Sequence, residues 1–327
     1  MPNASITHEP RLPESNSAAP ALLFEQVSKW YGPVIGVNQV TLELHRGITG
    51  LVGANGAGKT TLLRLATGQL QPDIGQVTIR GVEAWNWRAK RLVGYCPESD
   101  VFYEEMSGFQ FVESMALLCG MTRRQARERT EAAIEQVGMV GRSDRKIRGY
   151  SKGMRQRIKL AQALLQDPKL LILDEPLSGI DPIGRQDFVD LFFALAEQDR
   201  CLLISSHELE ELEKLTNHIA IMARGRIAAV GSIAKIRDLL DQHPITIRME
   251  LADPRRTAAL LLGHPAVVGI DLGPSQNELI ARVANARGFF ADFGRLVIEY
   301  DLQVQHLETI DDSTQAILGY LLGGRSG

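Results

Sequence analysis

The feature that most constrains this chain is a glycine-rich motif, Gly53 to Thr60, which reads GANGAGKT. It matches the pattern G-x-x-x-x-G-K-[ST], follows the apolar segment ITGLV and precedes the helical pattern TTLLRLATG. Its glycines let backbone N–H groups turn inward around phosphate oxygens, and the start of the helix adds partial positive charge. Lys59 would supply a charge to the β- and γ-phosphates, and Thr60 a hydroxyl ligand for Mg²⁺. The sequence therefore predicts a strand, a phosphate-binding loop and a helix that open an α/β fold.

A second motif, LLILDE, ends in the two carboxylates Asp174 and Glu175. Asp174, at the end of a strand, is expected to hold Mg²⁺ mostly through water, since this ion keeps much of its hydration shell. Glu175 is placed to take a proton from an attacking water. Four apolar residues followed by Asp-Glu are common by themselves. The motif gains weight because it occurs with the phosphate-binding loop in one α/β domain.

Two continuous apolar runs predict strands that are buried on both faces of a parallel sheet. KLLILDE and CLLISSH both end in polar residues, and the helical pattern DFVDLFFALAEQ lies between them. The local order is strand, helix, strand, for which a right-handed parallel crossover is the expectation.

The composition excludes several classes of protein. A formal net charge of −3 gives no general reason to expect nucleic acid. Three cysteines with no CxxC argue against a disulfide framework or a cysteine zinc site, and they fit a reducing compartment. No apolar window is long enough to span a bilayer, and residues 1–20 lack the apolar core of a secretory signal. The chain is therefore expected to be cytoplasmic.

Changes in sequence character divide the chain into three regions. Residues 1–20, rich in Pro, Ser, Asn and Ala, are expected to form a flexible tail. Residues 21–243 carry the motifs described above. Beyond His243-Pro244, residues 244–327 follow a β-α-β-β-α-β pattern, which suggests a small ferredoxin-like α+β domain. This C-terminal domain is expected to dimerise or regulate, because nothing in it looks catalytic.

Further motifs give the chain a resemblance to a known family. YSKGMRQR at 150–157 lies shortly before LLILDE, LSGIDP at 177–182 follows it, and a later strand ends in His207. Together with GANGAGKT, and in this order, they resemble the ATP-binding subunits of ABC transporters from about residue 22 to 234. The resemblance implies a P-loop NTPase core, a small antiparallel β subdomain and a helical signature subdomain.

In that family, two subunits enclose two ATP molecules, each between the phosphate-binding loop of one chain and the signature helix of the other. The resemblance implies that Ser151, Lys152 and Gly153 reach the ATP of the partner subunit. Asp181 would link the two sites, and His207 would contact the γ-phosphate and position the attacking water. The signature reads YSKGM where LSGGQ is usual. Nevertheless, Ser151 is able to cap a helix and Gly153 permits the close approach of a phosphate.

The adenine end of the site is implied by an aromatic residue. Tyr31, in KWYG, matches the aromatic that stacks on adenine in this family; Trp30 is its immediate rival, and a core position is the alternative for either. The residues implied to bind ATP are Tyr31, Gly53, Asn55, Gly56, Ala57, Gly58, Lys59, Thr60 and Thr61.

One position departs from the family pattern. GYCPE occupies the place of the Q-loop, and Glu98 stands where the family has glutamine. A carboxylate is a competent ligand for Mg²⁺, so the implied metal ligands are Thr60, Glu98 and Asp174, partly through water. The added negative charge is expected to alter ATP affinity or coupling. The segment 100–120 is expected to contact a membrane partner, although its aromatic residues suit a helix core equally well.

These observations predict an ATPase that binds and hydrolyses ATP as a dimer and powers a permease encoded on another chain. YSKGM, GYxPE and the C-terminal extension resemble the exporter class, so export is the expected direction, and the chain is expected to lie peripherally on the inner face of the cell membrane. Two alternatives remain open: a soluble ABC ATPase acting on ribosomes or nucleic acid, and an ATP-dependent regulator with little turnover. The basic stretch 142–159 would suit nucleic acid, but a face near triphosphate or a solvated face accounts for it. No nucleic-acid partner is therefore expected.

Overall fold

The structure, a computed structural model, describes residues 19–232 and 244–310. Its strands are β1 Leu22–Tyr31, β2 Val34–Leu44, β3 Gly47–Val52, β4 Ile74–Ile79, β5 Val82–Glu83, β6 Val93–Cys96, β7 Leu170–Asp174, β8 Cys201–Ser206, β9 His218–Ala223, β10 Arg226–Ser232, β11 Ile245–Leu251, β12 Val267–Leu272, β13 Glu278–Val283 and β14 Val304–Thr309. Its α-helices are α1 Lys59–Ala66, α2 Trp87–Lys90, α3 Gly108–Leu118, α4 Arg123–Gln136, α5 Lys152–Leu164, α6 Pro182–Ala196, α7 Leu209–Glu213, α8 Pro254–Leu261 and α9 Ala286–Glu299.

The central sheet has the strand order β10-β9-β3-β8-β7-β6. Strands β9, β3, β8, β7 and β6 are parallel, and β10 pairs with β9 in the antiparallel direction. Every residue of β7 and β8 is buried, because apolar clusters cover both faces of the sheet. The prediction of two neighbouring parallel strands joined through a helix is confirmed, and the carboxyl ends of β3, β7 and β8 meet at one edge.

A second, antiparallel sheet has the order β2-β1-β4-β5 and carries Trp30 and Tyr31 in β1. Leu22 and Phe24 alternate with exposed or half-buried positions and pack on the same apolar cluster as helix α1. Tyr31 is the last residue of β1, where the chain turns through Gly32 into β2. The turn places this tyrosine at the end of the sheet near the phosphate-binding loop.

Helices α3, α4 and α5 form the helical part of the ATP-binding region. Ser107 and Thr122 begin α3 and α4 with capping boxes, each pairing its side chain with a glutamine three residues later. Ser151 begins α5, and its hydroxyl accepts a hydrogen bond from the Met154 N–H at 3.3 Å. Phe111, on α3, is buried in the core shared with these helices, whereas Tyr103 is 67% exposed. The α/β fold class is thus confirmed.

The strands and helices from 245 to 309 follow the predicted β-α-β-β-α-β order. They form an antiparallel sheet in the order β12-β13-β11-β14, and α8 and α9 pack on it around Phe289. Within the described residues, no helix combines the length and apolarity needed to cross a membrane. The predicted flexible tail falls mainly on residues 1–18, and the predicted boundary at His243-Pro244 falls at the end of 233–243. Both stretches lie outside the described residues, as does 311–327.

Candidate active site

The loop between β3 and α1 has a backbone that only glycine supports at two points. Gly56 and Gly58 have φ of 79° and 106°, in the left-handed region that disfavours side chains. A Cβ at Gly58 would also lie 2.4 Å from the carbonyl oxygen of Gly36. Gly58 precedes α1 without a side-chain cap, so the first N–H groups of the helix are left for an outside acceptor. The loop therefore presents an anion-binding helix start.

A cavity of about 390 Å³ lies over this loop, at the carboxyl ends of the central strands. It is lined by Tyr31, Val34, Ile35, Gly36, Ala54, Asn55, Gly56, Gly58, Lys59, Thr60, Thr61, Glu98, Asp174, Glu175 and His207. The structure thus brings together the residues predicted to bind ATP, to hold Mg²⁺ and to act in catalysis. Gly53 and Ala57, which are predicted to bind ATP, belong to the loop but not to this lining.

Glu175 is the centre of the charged groups in the cavity. Its Oε1 lies 3.4 Å from Lys59 Nζ, and its Oε2 lies 2.9 Å from His207 Nδ1. Lys59 Nζ also donates to the Gly53 carbonyl at 2.6 Å, and both the lysine and the glutamate side chains are 7% exposed. Glu175 itself has φ of 48°. Strained backbone of this kind costs about 1–3 kcal/mol and concentrates at functional sites.

Asp174 is held by a serine that the sequence analysis did not single out. Ser205 Oγ donates to Asp174 Oδ1 at 2.6 Å and accepts from the Glu175 N–H at 2.9 Å. Burial raises the pKa of Asp174 above its usual value; the Ser205 hydrogen bond opposes this shift, and the charges of Glu98 and Glu175 add to it. The signal for Ser205 was its place in SSH, at the end of the strand that pairs with LLILD.

The oxygen donors of the cavity suit a hard divalent cation. Thr60 offers a hydroxyl, and Glu98 and Asp174 offer carboxylates, which are the ligand types that Mg²⁺ prefers. Among the described residues, no group of three or more His, Cys, Asp or Glu side chains is close enough to hold a metal unaided. The donor set therefore fits a magnesium ion that also uses phosphate oxygens and water, as the ion does at most nucleotide sites.

The end of the cavity at Tyr31 is apolar and open. Tyr31 is 45% exposed, its hydroxyl lies 3.5 Å from Thr61 Oγ1, and Val34 and Ile35 continue the same wall. Trp30, the rival for this role, is not part of the lining. An exposed aromatic face beside a phosphate-binding loop is able to stack on a base.

The signature residues and Asp181 lie outside this cavity. A Cβ at Gly153 would meet nothing within 4 Å, so the helix start is open to an incoming group. Lys152 lies against Gly179, with its Nζ 2.2 Å from where a Cβ of that glycine would be. Asp181 Oδ1 accepts from the Gly184 N–H at 2.9 Å and caps α6. The chain thus presents these groups on a surface separate from its own phosphate-binding loop.

A polar network that the sequence did not predict connects the residue before Asp181 to the residue before His207. Arg185 Nε donates to the Ile180 carbonyl at 2.9 Å, and the same guanidinium pairs with Glu211 at 2.9 Å. Glu211 also accepts from the Ser206 hydroxyl at 2.9 Å. A single arginine therefore ties the loop before α6 to the segment that carries the histidine. Sequence separation hides such a contact.

Comparison with known proteins places these motifs in a family. The family model described as ABC transporter matches residues 37–178. An uncharacterized ABC transporter ATP-binding protein of Bacillus subtilis is 38% identical over 66% of this chain and 70% of its own length. The bacitracin transport ATP-binding protein of Bacillus licheniformis is 28% identical over 91% of this chain and 96% of its own.

Other comparisons agree in fold but differ in extent. The chain spans 62% of the length of two cyanobacterial relatives, uncharacterized ABC transporter ATP-binding proteins from Synechocystis and Nostoc, at 35% and 36% identity. A solved ATP binding subunit of an ABC transporter superposes with a TM-score of 0.60 at 26% identity, covering 67% of this chain and 93% of that one. The family match at residues 37–178 contains the phosphate-binding loop, Glu98, Asp174 and Glu175.

Proposed function

Because this chain belongs to the family of ABC transporter ATP-binding proteins, we propose that it binds and hydrolyses ATP as a dimer and thereby powers a separate membrane-spanning permease, in the direction of export. The observation that carries the proposal is the position of Glu175. Its carboxylate contacts both Lys59 and His207 in a cavity that the phosphate-binding loop also lines. A base, a cation and an orienting imidazole are thereby within reach of one phosphate site.

In the proposed reaction, Lys59 exchanges its contacts with the Gly53 carbonyl and Glu175 for oxygens of the β- and γ-phosphates. Glu175 is then free to accept a proton from a water that His207 holds in line with the γ-phosphorus. The water oxygen forms a bond to the γ-phosphorus. The bond from that phosphorus to the oxygen bridging the β- and γ-phosphates breaks, which leaves ADP and phosphate. Mg²⁺, held by Thr60, Asp174 and Glu98, would neutralise the phosphate charges.

The proposed dimer follows from where the signature residues lie. Ser151, Lys152 and Gly153 do not line the cavity of their own chain, and the start of α5 is open. A second copy, turned so that its α5 faces this phosphate-binding loop, would complete the γ-phosphate site with a helix start and a serine hydroxyl. Asp181, at the start of α6, would then lie between the two sites.

The permease and the export direction are supported by resemblance. The bacitracin transport ATP-binding protein, which aligns with 91% of this chain over 96% of its own length, is named for the transport of bacitracin. The motifs YSKGM and GYCPE also resemble those of the exporter class. A chain that couples ATP to a permease would lie peripherally on the inner face of the cell membrane. The residues that select the transported compound would belong to the permease.

The test is affinity purification of tagged Glu175→Gln chain from gently solubilised membranes of its own host, with ATP present. Lys59→Ala, which loses the phosphate contact, serves as the control that should release the partner. ATP-dependent recovery of a polytopic membrane protein would support the transporter reading. Recovery of ribosomes or nucleic-acid proteins would favour the soluble alternative, and recovery of the homodimer alone would favour an ATP-dependent regulator.

A further inference from the structure

Lys159 is a buried lysine of α5 whose ammonium group has three oxygen partners on one loop. Its side chain is 6% exposed, and Nζ donates to the main-chain oxygens of Pro97 and Glu98, each at 3.0 Å. The same atom lies 2.8 Å from Asp100 Oδ1. An ammonium group carries three N–H donors, so residues 97–100, which we name the Glu98 loop, engage all of them.

Two neighbouring side chains of α5 hold the chain on either side of this loop. Gln156 Nε2 donates to Cys96 Sγ at 3.4 Å, immediately before it. Arg155 pairs with both carboxylate oxygens of Glu104, at 2.6 and 2.9 Å, just beyond it. Of these three α5 side chains, Lys159 is the one that holds the main chain of the Glu98 loop.

Glu98 links the Lys159 contact to the nucleotide site. Glu98 lines the ATP cavity, while its carbonyl oxygen is fixed by Lys159. Ser151 caps the same helix eight residues earlier, about 12 Å along the axis at 1.5 Å per residue. One helix therefore connects the signature serine to the loop that bears a candidate metal ligand.

We propose that Lys159 is a positioning residue for Glu98: it fastens the Glu98 loop to the signature helix, so that the carboxylate reaches the magnesium end of bound ATP. The inference rests on the proposed function, since it takes Glu98 as a ligand of Mg²⁺. Removal of the ammonium would leave the partly buried carbonyl oxygens of Pro97 and Glu98, and the Asp100 carboxylate, without this donor. The loop would then move and carry Glu98 away. Substitution should therefore alter the response of ATP binding to Mg²⁺ more than ATP binding itself.

The test titrates a fluorescent ATP analogue into the full-length chain, with EDTA and with increasing Mg²⁺. Lys159→Met keeps the length of the side chain and removes its donors, whereas Lys159→Arg keeps donors. Lys146→Met is the matched control. Lys146 forms an exposed ion pair at 2.8 Å with Glu105, which follows the Glu98 loop in the chain.

We expect Lys159→Met to bind the analogue in EDTA as the unsubstituted chain does. It should require roughly 10-fold more Mg²⁺ to tighten that binding, the usual size when a group that orients a metal ligand is lost. Lys159→Arg should recover part of this difference. Lys146→Met should match the unsubstituted chain, since exposed ion pairs contribute little.

A double-substitution cycle separates positioning from general packing. Glu98→Ala should raise the Mg²⁺ requirement of the unsubstituted chain, but little further in Lys159→Met, because both changes remove the same contact with the metal. Additive effects, or an unchanged Mg²⁺ requirement in a folded Lys159→Met chain, would overturn the inference. If Lys159→Met fails to fold, the cycle with Glu98→Ala is run in Lys159→Arg, whose guanidinium cannot reproduce all three contacts of the ammonium group: a raised Mg²⁺ requirement to which Glu98→Ala adds little supports the inference, and an unchanged requirement overturns it. An unsubstituted chain whose ATP binding ignores Mg²⁺ would overturn the proposed function as well.

Discussion

Glu175 occupies a position in which its neighbours determine its chemistry. Lys59 and His207 contact one carboxylate oxygen each, at 3.4 and 2.9 Å, and the backbone at this residue is left-handed. A carboxylate used as a general base must keep a lone pair aimed at water when the cation moves to the phosphates. Once Lys59 has moved to the phosphates, the contact with His207 is still available to hold the Glu175 carboxylate.

Glu175→Gln should therefore keep ATP binding and slow hydrolysis by roughly 10²- to 10⁴-fold, the usual contribution of a general base. Phosphate release in single-turnover and steady-state assays measures the change. Glu208→Gln is the matched control, because Glu208 is an exposed glutamate near the other nitrogen of His207, at 3.6 Å. Equal turnover in Glu175→Gln and the unsubstituted chain would show that the base is elsewhere.

Burial makes the ionised form of Asp174 costly in free energy in the nucleotide-free chain, and binding of ATP with Mg²⁺ should remove this cost. Its pKa is raised by burial, so ionisation costs more free energy in the folded, nucleotide-free chain than in the unfolded chain, and stability falls as the pH rises from the unfolded value of 3.8 through the folded pKa. Asp174→Asn should then raise the unfolding midpoint at neutral pH by a few degrees, and the gain should shrink in acid. The same variant should lose the extra stabilisation by ATP that depends on Mg²⁺.

Thermal unfolding from about pH 4, close to the ordinary pKa of an aspartate, up to neutral pH, with and without Mg²⁺ and ATP, measures both effects of Asp174→Asn. Asp190→Asn is the control, since Asp190 is exposed and accepts only a side-chain hydrogen bond from Gln186 at 3.0 Å among the contacts of the described residues. A midpoint that falls at neutral pH in Asp174→Asn would show that the ionised carboxylate stabilises the nucleotide-free chain.

At the scale of elements, the sequence was most informative where one local pattern determines both a structure and its chemistry. The loop at Gly53 to Thr60 and the strand ending at Asp174 were predicted because glycine spacing and unbroken apolar runs are local signals. The parallel pairing of β7 with β8 followed from the helix between them. The β-α-β-β-α-β order from 245 to 309 followed from turn residues and alternation.

What the sequence did not predict depends on contacts between distant residues. Lys159 meets the Glu98 loop across 61 positions, and Arg185 meets Glu211 across a strand and a turn. From the sequence pattern alone, a lysine on an amphipathic helix is predicted to keep its ammonium group in water, because its packing partner is not known. Tyr31, by contrast, was named ahead of its rival Trp30 by the resemblance alone, and it is the one of the two that lines the cavity.

The approach of β6 to α5 depends on a single glycine. A Cβ at Gly94 would lie 2.2 Å from the Ala163 carbonyl oxygen and 2.8 Å from the Leu171 side chain. Gly94→Ala should therefore push the signature helix from the sheet and destabilise the fold by about 1–3 kcal/mol, the usual cost of overpacking. Gly149→Ala is the control, because a Cβ there meets nothing within 4 Å. Urea unfolding measures both; equal midpoints would mean that strand and helix separate without cost.

At the scale of the whole molecule, the proposed dimer would bring the α5 of a second chain to the phosphate site. The cavity has a loop, a lysine, three carboxylates and a histidine, while the start of α5 lies outside it with open space at Gly153. The Arg185–Glu211 contact and the Lys159 contact each connect this cavity to an element that would face a second copy. A second chain would therefore both complete the site and sense its occupancy through these contacts.

Ser151→Arg tests this arrangement, because Ser151 begins α5 but does not line the cavity of its own chain. An arginine there would place a long charged side chain where the partner's phosphate-binding loop must approach. We expect monomer affinity for ATP to be unchanged and the ATP-dependent dimer to be lost, as measured by light scattering in the Glu175→Gln background. Gln69→Arg, an exposed position beyond the end of α1, should still dimerise. A Ser151→Arg chain that remains dimeric with ATP would contradict the proposed role of the signature helix across the dimer.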